Sequence, residues 1–142
     1  MTYPRYAACD FQAGEVREQA FTLSREDVGA FSSVSGDHHP LHVDVGFAAE
    51  RGYPDVIVHG MLVASRCSAF VARDFVGSQG LLVSLANDFR QPVFCGEALT
   101  WHAEVSRVNE SAGTVEVGWQ VRNPRGAVVQ RGSACAWLPR QP

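Results

Sequence analysis

Six consecutive residues, Asp37-His38-His39-Pro40-Leu41-His42, bring one carboxylate and three imidazoles into a single short segment. Carboxylate plus imidazole is an acid–base kit: one group takes a proton from water while the other supplies one, provided their surroundings tune them apart. Pro40 fixes its own φ and biases His39 away from helix, so the segment should be an ordered loop. Two other readings stand beside this one. Asp37 could cap a turn with the histidines solvated, or Asp37, His39, His42 and His59 could gather a zinc or iron ion, although no established metal-motif spacing is present.

A second segment, His59-Gly60-Met61-Leu62-Val63-Ala64-Ser65-Arg66-Cys67-Ser68, opens a long apolar stretch with a glycine. The first turn of a helix has free N–H groups and the positive end of a dipole. A glycine there lets a ligand approach the backbone closely, as an oxyanion-binding site requires. Gly60 could equally serve close packing or a turn. Ser68, eight residues on, could orient a catalytic side chain or bond its own helix backbone.

These residues need a scaffold, and the rest of the chain supplies one. Val16–Thr22 has strand character. Ser24 with Asp27 forms a capping box ahead of Val28, Phe31 and Val34 at helical spacing, and Gly36 ends that helix. Asp44 caps a short helix over Val45–Arg51, and Gly52, Pro54 and Asp55 return the chain to loop. Gly60–Phe75 reads as the main helix, apolar on most sides, with Arg66 and Arg73 marking a narrow polar stripe; such a helix is buried. Leu81–Phe89, Leu99–Val108, Thr114–Arg122 and Val128–Leu138 read as strands joined by short turns. The order predicts an α+β fold, a curved antiparallel sheet wrapped around one long central helix.

Composition narrows the function classes. The 142 residues suit one domain, 1–142, with ordinary globular composition. The net charge of -3 and the lack of a basic run argue against nucleic-acid binding. All twelve basic residues are Arg, so Schiff-base chemistry is excluded for want of a lysine amine. No membrane span is expected, because the longest apolar stretch, Met61 to Ala72, is too short and carries Arg66. Cys9, Cys67, Cys95 and Cys135 form no CxxC pair and the N-terminus shows no signal pattern, which predicts a reduced, cytoplasmic setting.

Three landmarks together resemble the MaoC-like family of R-specific enoyl-CoA hydratases. Ser35-Gly36-Asp37-His38-His39-Pro40-Leu41-His42, followed by Phe47-Ala48-Ala49, is similar to that family's motif of Asp, any residue, Asn, Pro, an aliphatic residue and His. Val58-His59-Gly60-Met61-Leu62 resembles the start of its central helix, and Phe89-Arg90-Gln91-Pro92-Val93 with Gly96-Glu97 its substrate-side strand and turn. The likeness runs from about Phe21 to Leu138. It implies a hot-dog fold, dimeric or as a fused double domain. It implies Asp37 and His42 as a catalytic dyad, the Gly60 N–H as donor to the substrate carbonyl, and Ser68 in support. The substrate would be an enoyl thioester of CoA, or of acyl carrier protein in the dehydratase variant, with no cofactor and no metal. One position departs: the family's Asn is His39, which leaves room for altered substrate or rate, or for a non-catalytic thioester-binding module.

Overall fold

The computed structural model describes residues 2–140. After a short 3₁₀ turn at Ala8–Asp10 come strand β1 (Val16–Phe21) and helix α1 (Arg25–Ser35). A single turn α2 (Pro40–Val43) and helix α3 (Val45–Glu50) lead to the central helix α4 (Gly60–Val71), extended by a wider π turn over Ala72–Val76. Strands β2 (Leu81–Phe89), β3 (Leu99–Asn109), β4 (Thr114–Arg122) and β5 (Val128–Trp137) complete the chain. The five strands form one antiparallel sheet in the order β1-β3-β4-β5-β2. This is the predicted curved sheet around a helix.

Period-two alternation decides which face the helix meets. Leu99, Trp101, Ala103 and Val105 of β3, with Val115, Val117, Trp119 and Val121 of β4, point inward and are buried. Leu62, Val63, Cys67, Phe70 and Val71 of α4, and Phe75 beyond it, pack on them in one core. Phe70 and Phe75 lie 5.3 and 6.4 Å from Trp101, ring centre to ring centre. The helix is not apolar-buried all round, as its composition suggests: Met61, Ser65 and Ala69 make an exposed stripe, whereas Arg66 is half-buried. Ser24 and Asp27 close a full capping box on α1. Within α1, Val34 is 83% exposed and Ser32, not Val34, takes the inward place.

Candidate active site

Three elements converge where α4 begins. His59 is its N-cap and Gly60 its first residue. As first residues of a helix, Gly60 and Met61 find no acceptor for their N–H groups within it. Against this end lies a cavity of about 430 Å³ whose walls include Asp37, His42, His59, Gly60, Phe89 and Arg90. Sequence reading named Asp37, His42 and Gly60, and all three share this cavity. His39 and Ser68 are not on its wall; Ser68 is half-buried two turns further along α4.

The loop owes its shape to side chains answering backbone groups. Oδ1 of Asp37 accepts the His39 N–H at 3.1 Å, and Nδ1 of His39 accepts the Leu41 N–H at 3.2 Å. His39 is thus the N-cap of α2, with Pro40 as its first residue. A side-chain acceptor at that position is what an Asn would offer, which accounts physically for His39 in its place. His38 turns away: its Nδ1 lies 2.8 Å from Ser32 Oγ, which donates to the Asp37 carbonyl at 2.8 Å.

His42 is held differently. Its Nδ1 lies 2.6 Å from the Ile57 carbonyl. A carbonyl only accepts, so Nδ1 carries a proton, and in the neutral ring Nε2 is the free nitrogen. The His39 N–H holds the Asp37 carboxyl below the ordinary carboxylate range; slight burial opposes this, and the imidazoles of His42, His59 and His39 reinforce it. Asp37 is therefore an ionised acceptor at neutral pH beside an imidazole with one free nitrogen. Asp37, His42 and His59 each bring one donor atom within 4.8 Å of the others, so the ligand set weighed from sequence converges without His39.

Sequence reasoning missed Gln130, and named His59 only as a possible metal ligand and as the residue before Gly60. Gln130, 2% exposed on the inner face of β5, donates from Nε2 to the Gly60 carbonyl at 2.8 Å and accepts from Asn87 Nδ2 at 3.1 Å. That chain ties the first turn of α4 to two strands. A polar residue at an inward position of an otherwise apolar strand was its signal. His59 is 1% exposed, its ring 3.9 Å from that of His42 and nearly parallel. A histidine where helices take Ser, Thr, Asp or Asn was the corresponding clue. Of the thiols, Cys67 is buried in the core, and burial pushes it up to about 12, out of the range of a reactive nucleophile.

The family model for the MaoC-like domain matches residues 10–123. The chain belongs to the MaoC-like dehydratase family. It is 29% identical over 133 residues to the (R)-specific enoyl-CoA hydratase of Aeromonas caviae, covering 94% of this chain and 99% of the relative. The solved structure of an (R)-hydratase from A. caviae superposes with a TM-score of 0.85 over 91% of this chain and 98% of that one, at 29% identity. A mitochondrial 3-hydroxyacyl-[acyl-carrier-protein] dehydratase of Arabidopsis thaliana is 31% identical over 131 residues, covering 90% of this chain and 78% of the relative. The hot-dog fold expected from the sequence motifs is the fold of these neighbours.

Proposed function

We propose that this MaoC-like chain adds water reversibly across the double bond of a trans-2-enoyl-CoA to give the (R)-3-hydroxyacyl-CoA. The broad class follows from the family: the chain is a hydratase/dehydratase, a lyase. One observation carries the finer reading. An ionised carboxylate, an imidazole with one free nitrogen and the amide end of a buried helix meet in one cavity. A water held between Asp37 and His42 loses a proton to the dyad, its oxygen bonds to Cβ, and the dyad returns a proton to Cα. Charge building on the thioester oxygen is taken by the Gly60 N–H and the helix end. Dehydration is the same path reversed. The two groups act as a unit, so acid and base are not assigned separately. The chemistry calls for no cofactor or metal.

CoA is favoured over acyl carrier protein by Arg90, which is exposed on the cavity wall where a phosphate could reach it. A homodimer is favoured by β2, a sheet edge on which Leu81, Leu82, Val83 and Phe89 are all exposed. The open stripe of α4 adds to that surface. A reducing, cytoplasmic setting suits the four free thiols; among the described residues no helix is long and apolar enough to cross a membrane.

The test is loss of the enoyl-thioester absorbance of crotonyl-CoA on adding purified protein, repeated across chain lengths, with the acyl-carrier-protein ester in parallel. Turnover on the CoA ester, persisting in a chelator, is the expected result. Turnover restored only by zinc or iron would favour a metal on Asp37, His42 and His59. Silence toward every enoyl thioester would leave a binding module. Light scattering at micromolar concentration should give twice the chain mass.

A further inference from the structure

His59 touches both members of the dyad. Its Nε2 lies 3.0 Å from the Asp37 carbonyl, so the ring donates there. Its face lies 3.9 Å from the His42 ring, with 24° between the planes. On another side the ring of Phe31, from α1, packs 5.1 Å away at 60°. Nδ1 is buried and meets no hydrogen-bond partner among the described residues. Burying an imidazole with one nitrogen unanswered costs free energy, and an apolar ring would avoid that cost. Capping does not explain its presence either, since His59 makes no side-chain bond to its own helix.

We propose that His59 is the positioning residue of the dyad: one buried ring that fixes the backbone of Asp37 by a hydrogen bond and the plane of His42 by stacking. This rests on the dyad reading given above. His42 is otherwise held by one hydrogen bond, at Nδ1, and by an edge contact with the His39 ring at 6.0 Å between centres; the stacked face of His59 is the closer ring contact and fixes the plane. The Asp37 carbonyl has a second donor, Ser32 Oγ at 2.8 Å. Loss of the His59 hydrogen bond alone is therefore partly covered, and loss of the stack is not. Small misplacements of reacting groups lower turnover while leaving binding nearly intact.

Three variants separate the two contacts. His59→Gln keeps a donor where Nε2 stands, His59→Phe keeps the stacked face, and His59→Leu keeps neither. Expected is a fall in kcat of about a hundredfold for His59→Leu with KM within about twofold, and partial rescue by the other two, His59→Phe more than His59→Gln. Amide hydrogen exchange supplies a readout that does not need turnover: protection across residues 36–43 should drop in His59→Leu while that of β3 and β4 is kept. A kcat within twofold of the parent in all three variants, or a loss carried by KM alone, overturns the proposal, as does unchanged exchange in that loop. If His59→Leu unfolds, the order of His59→Phe above His59→Gln still decides. Asp37→Asn run alongside tells the failures apart: if it too keeps full activity, the dyad reading has failed rather than the role of His59.

Discussion

The sheet has a concavity on each face, and Asp37, His42 and Gly60 line the smaller one. On the outer face a groove of about 730 Å³ runs over β2, β3, β4 and β5, lined by Asp88, His102, Glu104 and Arg131 among others. The inner cavity at the head of α4 is about 430 Å³. Both contain histidine and carboxylate: His102 with Asp88 and Glu104 in the groove, His42 and His59 with Asp37 in the cavity. In the groove these groups answer one another across strands: His102 faces Glu18 at 3.2 Å and Arg131 faces Asp88 at 3.1 Å, all solvent-exposed. In the cavity the backbone answers them, through the His39 N–H on Asp37 and the Ile57 carbonyl on His42. An exposed charge pair is held loosely and screened by water. A group oriented by the backbone presents its remaining lone pairs at a fixed place, as a reacting group must.

The sharpest way to break this contrast is to remove equivalent charges on each side. Asp37→Asn and His42→Ala should each lower kcat more than a hundredfold with an unchanged unfolding transition, since acid–base groups contribute that much or more. Glu18→Gln and His102→Ala should leave turnover within twofold, because an exposed pair is worth roughly 0–1 kcal/mol and neither residue lines the cavity. If either dyad variant keeps a tenth of the parent kcat, the cavity has no better claim than the groove.

Two glycines divide activity from stability. A Cβ on Gly60 would stand 2.7 Å from a Phe89 ring atom. Phe89 is 55% exposed and can swing aside, but it lines the same cavity, so its displacement changes the cavity wall. Gly60→Ala should therefore cost turnover about tenfold or more and stability under about 1 kcal/mol. At Gly132 the Cβ would meet the Trp119 ring and, at 2.6 Å, the Ala86 carbonyl. Neither can yield easily, because Trp119 is packed in the core and Ala86 lies on the paired strand. Gly132→Ala should destabilise by about 1–3 kcal/mol, while folded protein at low temperature retains its kcat. Denaturant midpoints and initial rates on both variants decide the matter; the reverse pattern would put the site elsewhere.

How much of this was legible beforehand depended on whether hydropathy or hydrogen bonding decided the position. The strands and the long helix were, because burial of Val, Leu and Trp at fixed spacing decides them. Val34 lies outside because steps of three drift off the face of a 3.6-residue helix: Ser32, four residues after Val28, falls on the inward face and bonds the Asp37 carbonyl, while Val34, six after it, points away. The turn α2 is too short to show a period, so only Pro40 hinted at it. Asp37, His42 and Gly60 stood out because their types are rare in company, and they line one cavity. Gln130 gave little sign of itself, and His59 stood out only as a possible metal ligand at the start of the helix, because the partners of each come from distant elements. The open stripe of α4 could not be read from composition, since Met61, Ser65 and Ala69 suit a packed face equally well.

His39 sharpens the comparison through pH. Its Nδ1 must accept the Leu41 N–H to cap α2, and a protonated ring has no lone pair there. Asp37 is weakened by acid in the same sense. Its carboxyl is held low in the fold, so what ionised Asp37 adds to the loop is present at neutral pH and is lost only as the pH falls below the ordinary carboxylate range. A protonated His39 could not cap α2, while an ionised Asp37 would still hold the His39 N–H. His39→Asn should keep or raise kcat/KM at neutral pH and flatten the acidic limb, as an amide oxygen accepts at any pH. An unchanged acidic limb in His39→Asn would remove the cap from the account of the pH profile. Loss of all activity would give His39 a role of its own.

The smallest expected effect lies in the floor of the outer groove. Gly118 sits at the centre of β4, opposite Glu104 and Ser133. A Cβ there meets nothing closer than the Gly132 carbonyl at 3.9 Å, an ordinary van der Waals contact, and its φ is not in the left-handed region. Glycine within a strand costs about 0.5–1 kcal/mol against alanine, because the unfolded chain loses more freedom on folding. If the groove is only a solvated sheet surface, Gly118→Ala should stabilise the fold by about that amount and leave kcat and KM alone. A groove that binds substrate would respond otherwise, for a methyl group in its floor would raise KM. Urea midpoints and saturation kinetics on this single variant therefore test the outer face on its own terms: a stabilised protein with a raised KM would return the groove to consideration, and a stabilised protein with unchanged kinetics leaves catalysis to the cavity at the head of α4.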